Sequence, residues 1–123
     1  MDSKHDGPRE RITIRRRRQV VADAIDWMVY HLETPFEVGE IAEAAQVSIR
    51  TLQYAFRQEL GVTPMAEAKR LRMHRLRDRL MDNRFFQSSI ADLMKSSGLL
   101  AAGSTAVEYR HYFGETPRQS RQH

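Results

Sequence analysis

The 123-residue chain contains no cysteine. That excludes a disulfide framework, a cysteine-ligated zinc finger and a thiol nucleophile, and it fits a reducing compartment. No apolar run approaches the about 20 residues of a membrane-spanning helix, and no segment is ordered like a signal peptide. Alternating β-branched runs are scarce, so the chain holds little material for strands. No glycine loop suited to cradling a phosphate is present, and the five histidines are scattered, no two sharing a helix face at metal-ligand spacing. Asp78 and Asp82, four residues apart, read as surface partners of the neighbouring arginines rather than as an acid–base pair. The expectation is a non-enzymatic, soluble, cytoplasmic protein with no cofactor, no metal and no membrane segment.

What is there is charge in blocks. The formal net charge is +4. Residues 1–20 hold seven basic and three acidic residues, residues 21–47 six acidic residues and no Lys or Arg, and residues 69–84 seven basic residues against Asp78 and Asp82. A localised basic stripe is the footprint of a phosphate-binding face, although an arginine-rich helix surface is also often simply solvated.

Helical spacing dominates from Val20 onward, which makes the class all-α. Each half of the chain is short of apolar residues for a core of its own, so modest stability is expected. Met1 to about Gln19 is polar and reads as a basic arm or linker remnant; Arg15–Arg18 either reach phosphates from it or begin the first helix. Val21, Ile25, Met28 and Leu32 form an apolar stripe up to Thr34-Pro35, with Trp27 as a core or edge packer. Val38, Ile41, Ala42 and Ala45 make one face of a short helix. The pattern breaks at Gln46-Val47, and Ser48 offers an N-cap for a second helix. Leu52, Ala55, Phe56 and Leu60 share one face of that helix, and Ile49, Arg50, Gln53, Tyr54 and Arg57 lie towards the other. Gly61 stops it and Pro64 starts the next. This is the plan of a helix-turn-helix, whose second helix enters the major groove of DNA; the plainer alternative is an αα-hairpin in a small bundle.

Pro64 to about Asp82 reads as one long helix, with Ala68, Arg72, Leu76 and Leu80 every fourth residue. Ser89 to Pro117 then repeats the helix-turn-helix. Ile90-Ala91-Asp92-Leu93 and Gly98-Leu99 match Val38-Gly39-Glu40-Ile41 and Gln46-Val47 at an offset of 52. After one inserted residue, Tyr109, Arg110, Phe113 and Gly114-Glu115-Thr116-Pro117 match Phe56, Arg57, Leu60 and Gly61-Val62-Thr63-Pro64 at 53. A repeat that keeps cap, core and stop residues together implies two equivalent units. The expected organisation is a flexible basic arm (1–19), a first helix-turn-helix subdomain (20–63), a linking helix (64–82), a second subdomain (83–117) and a short tail (118–123).

These residues resemble the DNA-binding domain of AraC/XylS-type transcriptional regulators. The resemblance rests on Ile41-Ala42, Val47-Ser48, Arg50, Leu52, Phe56-Arg57, Gly61-Val62-Thr63-Pro64, Arg72-Met73, Gly98, Tyr109-Arg110, Phe113-Gly114 and Thr116-Pro117, and it covers about Val20 to Pro117. It implies a domain of about seven helices. Two recognition helices would enter successive major-groove segments, joined by a helix of roughly 28 Å against about 34 Å for one turn of DNA. It also implies double-stranded DNA and RNA polymerase as partners and a place on the nucleoid. Family members usually carry a sensor domain ahead of this one; here that domain is expected to be absent or removed, with the basic arm as its point of attachment.

The resemblance implies sequence-specific DNA binding in transcription control. Arg50, Gln53 and Tyr54 would face base edges, since Arg pairs with guanine and Gln with adenine bidentately. Ser48, Thr51, Arg57, Arg75, Ser104 and Arg110 would take phosphates. Arg72 would join them or else serve as a structural partner on the apolar stripe. The second unit departs from the family pattern. Thr105 and Met94 replace apolar and small residues, Val107 stands at a position often held by Arg, and Ala101-Ala102-Gly103 opens the helix without a hydrogen-bonding side chain. The first unit is therefore expected to read bases and the second to touch mostly backbone. The alternative reading is a protein-interaction module that keeps the fold with weakened DNA reading.

Overall fold

In the computed structural model, which describes residues 12–122, the first helix begins well ahead of the apolar stripe. Thr13 Oγ1 accepts the Arg16 backbone N–H at 3.0 Å, a hydroxyl cap of the usual kind, and α1 runs Ile14–His31. Of the two readings of Arg15–Arg18, the start of the first helix is the one seen; the rest of the arm expected over 1–19 falls mostly on residues 1–11, which lie outside the described part. Among the described residues the chain forms seven α-helices and one 3-10 turn, with no strand, so the all-α class holds.

The chain divides into two compact units. The first comprises residues 12–31 and 36–68, with α2 (Val38–Ala44), α3 (Ile49–Leu60) and the start of α4 (Pro64–Leu80). α1 packs on both α2 and α3, burying Val20, Val21, Ala24 and Met28 with Ile41, Ala42, Leu52, Ala55 and Phe56. Trp27 packs at the edge, stacked on His31 at 4.1 Å and edge-on to Phe36. Glu37 N–H donates to the Glu40 carboxylate at 2.9 Å at the start of α2. The turn into α3 passes through Gln46 at φ 60°, a left-handed residue without being glycine.

The second unit comprises residues 32–35 and 69–122. It holds the rest of α4, the 3-10 turn Asn83–Phe85, α5 (Ile90–Ser96), α6 (Gly103–Phe113) and α7 (Pro117–Arg121). Its core is Met73, Leu76, Leu80, Leu93, Met94, Leu99 and Tyr109. The tail expected over 118–123 is largely α7. Thr116 Oγ1 accepts the Gln119 N–H at 3.1 Å and Gln119 Oε1 accepts the Thr116 N–H at 2.8 Å, a capping box with proline in the first turn. Half of that device opens α4, where Thr63 Oγ1 accepts the Ala66 N–H at 3.1 Å ahead of a helix that begins at Pro64, and Ala66 has no side chain to return the bond. The repeated Gly-x-Thr-Pro is therefore a stop and a start. Gly61 and Gly114 end their helices in the left-handed conformation, and the threonine two residues on caps the next. α7 is anchored by Ser120, whose Oγ accepts the buried Tyr109 hydroxyl at 2.6 Å and donates to Glu115 at 2.5 Å. Burial raises the Tyr109 pKa, partly offset by the Ser120 contact.

Candidate nucleic-acid interface

α3 is amphipathic in the way a reading helix requires. Leu52, Ala55 and Phe56 are buried against α1 and α2, which fixes the orientation of the opposite face. Arg50, Gln53 and Arg57 are exposed on that face, and Tyr54 is half-buried beside them. Arg50, Tyr54 and Arg57 follow one another at one-turn spacing, so a guanidinium, a phenol and a second guanidinium line one edge of the helix. The N-terminus is set by Ser48, whose Oγ accepts the Thr51 N–H at 3.1 Å.

That cap corrects the expectation for Thr51. Its side chain is 6% exposed, and its Oγ1 accepts a hydrogen bond from Ser48 Oγ at 3.0 Å. It stabilises the cap and does not sit on the outer face; Ser48 itself is exposed there.

Sequence reasoning missed a contact at the far end of α3. Glu59 Oε2 accepts from Arg17 Nε at 2.6 Å and its Oε1 from Arg18 Nε at 3.3 Å. Arg17 and Glu59 are only 17% and 15% exposed at their side chains. The Arg17 hydrogen bond holds the Glu59 carboxyl below its usual range. Glu59 in turn raises the Arg17 pKa, with a smaller contribution from the nearby Tyr54 hydroxyl. The signal was the spacing: Arg17 lies three and four residues before Val20 and Val21, along the flank of their stripe.

In the second unit, Arg72 is 8% exposed and belongs to the architecture. Its Nε donates to the Leu32 carbonyl at 2.9 Å and an Nη to that of Thr34 at 2.8 Å. Burial pulls its pKa below the ordinary guanidinium value. Its place on the apolar stripe was the signal for this role. Arg75, expected on a phosphate, pairs with Glu33 at 3.6 Å. Arg79 donates to the same carboxylate at 3.0 Å and to the Ser96 carbonyl at 2.7 Å. Much of the basic stripe on α4 thus holds the 32–35 segment in place. One reason is that the Leu32 and Thr34 carbonyls, just past the end of α1, have no later turn of helix to donate to them.

Gly98, the turn residue before α6, has φ 85°. It corresponds to Gln46 in the first unit, yet a Cβ at Gly98 would overlap the Leu32 carbonyl oxygen and come within 2.8 Å of Arg72 Nε. The second turn therefore requires glycine for space as well as conformation, where the first does not.

The outer face of α6 is chemically poorer. Ser104 and Arg110 are exposed, and between them Val107 is 61% exposed. A shallow hollow of about 410 Å³ is bordered by Val107, Arg110, His111 and Gly114. The N-cap position, Ala102, supplies no side-chain acceptor. Thr105, which departs from the apolar residue of the family pattern, is buried with its hydroxyl donating to the Leu100 carbonyl at 2.7 Å, so its polar atom is satisfied. Among the described residues no helix is long and apolar enough to cross a membrane, and no group of three His, Asp or Glu side chains could hold a metal ion.

Comparison with known proteins agrees with this geometry. The model of a helix-turn-helix domain matches residues 41–123. A probable thc operon regulatory protein of Rhodococcus erythropolis is 32% identical over 81% of this chain and 30% of its own length; the chain thus spans about a third of that relative. A solved transcriptional regulator of Chromobacterium violaceum, described as an AraC-type DNA-binding domain-containing protein, superposes with a TM-score of 0.78 at 29% identity, over 84% of this chain and 89% of that one. The DNA-binding domain of AdpA, solved with a target DNA, shares the fold at a TM-score of 0.73 and 22% identity, over 85% and 90% of the two chains. With its repeated helix-turn-helix, its all-helical fold and these relatives, the chain belongs to the AraC-type family of helix-turn-helix domains.

Proposed function

We propose that this chain binds double-stranded DNA in a sequence-dependent way and thereby regulates transcription, with α3 as the main base reader. The observation that carries this is the outer face of α3: Arg50 and Gln53 are exposed side by side on a helix whose opposite face buries Leu52, Ala55 and Phe56. Those two side chains are the ones whose donor and acceptor geometry matches guanine and adenine edges, each pairing being worth about 1–3 kcal/mol of discrimination. Tyr54 adds a single hydrogen bond or packs on a thymine methyl. Ser48, Arg57, Ser104 and Arg110 are exposed and suited to phosphate; Thr51 acts through Ser48, and Arg75 reaches phosphate only by leaving Glu33. α6 offers Ala102, Ser104 and Val107 to the groove, with Ala106 partly buried against the core of its unit, which supports affinity through the backbone and little base reading. RNA polymerase is the second partner that this reading implies, and the nucleoid its place in the cell.

The second reading is a protein-interaction module. The observation favouring it is the exposed Val107 together with a first recognition unit flanked by the acidic residues of 21–47. Fluorescence anisotropy with a labelled duplex separates the two. Neutralising several phosphates gives a slope of log K against log salt of about −0.9 per phosphate, so a slope of about −3 or steeper is expected. Absence of duplex binding at low salt, or a slope near zero, favours the interaction module.

A further inference from the structure

We propose that Ile49 is a specificity-determining residue: the open side of its side chain packs on the C5-methyl group of a thymine in the element that α3 reads. This rests on the DNA-reading assignment of α3 made above.

Ile49 is the first residue of α3, next to Arg50 and one turn before Gln53. It is 43% exposed, and its neighbours Ser48, Arg50 and Gln53 are exposed polar side chains. An exposed aliphatic residue by itself carries no message; the place of this one does. The N-terminal residues of a recognition helix are those that reach base edges. Leu60, equally exposed, is the last residue of the same helix and lies away from that end.

The covered side of Ile49 is defined as well. A Cβ at Gly39 would stand 3.8 Å from Ile49 Cδ1, so the side chain rests across the start of α2, which packs on α3 within the same unit. Branching at Cβ restricts its first torsion, and the contact with α2 holds its far end. The open methyl surface is thereby presented in one direction, with little side-chain freedom left to lose on binding.

The neighbouring reader selects the target. Glutamine pairs bidentately with adenine through N6 and N7, which leaves the thymine O4 and C5-methyl of that base pair in the groove. A methyl group takes no hydrogen bond and is matched by an apolar surface. Ile49 and Gln53, four residues apart, are neighbours on the helix surface. One supplies donor and acceptor to an adenine, and the other an apolar contact to a thymine of the same or the next base pair. Arg50 and Gln53 alone would accept uracil in place of thymine; Ile49 makes the methyl count.

The test takes a duplex selected by the wild type and replaces each thymine of the α3 element in turn by deoxyuridine, which lacks only the C5-methyl. Wild type, I49A, I49V and Y54A are compared on each duplex by fluorescence anisotropy. In the wild type one such replacement is expected to weaken binding by about 3- to 5-fold, the worth of one methyl group removed from water. I49A should bind the thymine and uracil duplexes equally. I49V, which keeps the branch and loses the terminal methyl, should show a reduced difference, and Y54A should show all of it at that thymine. A role limited to packing on α2 would lower affinity for both duplexes alike and leave their ratio at the wild-type value. Thermal melts identify a variant that fails to fold; if I49A is one, an undiminished ratio in I49V overturns the proposal. A folded I49A that keeps the ratio, a ratio lost in Y54A instead, or no methyl-sensitive thymine in the element also overturns it, while leaving Arg50 and Gln53 as readers. A wild type without any base preference overturns both readings.

Discussion

Replacing Gly98 by alanine probes the second unit at its tightest point. The cost has two parts. Left-handed backbone disfavours a residue with a Cβ by about 1–2 kcal/mol, and Gly98 has φ 85°. The added methyl also overlaps the Leu32 carbonyl oxygen, which accepts from the buried Arg72 at 2.9 Å. Relief requires that carbonyl to move, and a hydrogen bond from a charged donor is worth about 1.5–3 kcal/mol. Together the loss is about 3–5 kcal/mol, a large share of the roughly 5–15 kcal/mol that holds a small domain folded. Gly61→Ala and Gly114→Ala are internal controls. Both glycines are left-handed, at φ 72° and 74°, and a Cβ at either meets nothing within 4 Å, so only the first part, about 1–2 kcal/mol, applies. Urea denaturation followed by circular dichroism measures all three. A Gly98→Ala loss no larger than that of the two controls would refute the reasoning.

Three further outcomes follow from the same geometry. Ala102→Ser supplies the missing cap of α6 at a residue already in extended backbone (φ −147°, ψ 159°) and should stabilise by about 1 kcal/mol in thermal or urea melts. Glu59 has its carboxyl pKa depressed in the fold, chiefly by Arg17, so its stabilisation is complete above the ordinary carboxylate range and fades as pH falls through the lower folded value. E59Q should accordingly melt with a shallower pH dependence than wild type between about pH 5 and 3, and equal slopes would contradict the pairing. Arg50→Ala and Gln53→Ala should each weaken binding to a selected duplex by about 1–3 kcal/mol without lowering the melting temperature, because both side chains are exposed.

The repeat was legible because caps and stops are written in single residues. Ser48, Gly61, Thr63-Pro64 and their counterparts each perform a local task that spacing alone reveals. The same logic marked α7, since Thr116-Pro117 repeats a helix start, but the short polar stretch after it was read as a tail; its anchor, the Tyr109–Ser120 bond, joins residues by tertiary packing. α1 began early for a similar reason: Thr13 caps it, while the residues between the cap and Val20 carry no apolar stripe. The outer face of α3 followed from helical period. The destinations of the arginines followed only in part. Arg72 was marked by its place on the apolar stripe, whereas Arg75, expected on a phosphate, turns to Glu33. Arg17 finds a partner 42 residues away. Such pairings depend on how the chain returns on itself, which periodicity does not encode.

The central claim is that α3 reads bases and α6 mainly supports it. Selection of bound sites from random duplex DNA, run with wild type and with Arg50→Ala/Gln53→Ala, tests it most directly. One sharply defined major-groove element is expected, with any second element weak, and the sharp element should vanish in the double variant while residual salt-sensitive binding persists. No enrichment of any sequence by the wild type, or an enriched element that the double variant retains, would contradict the account.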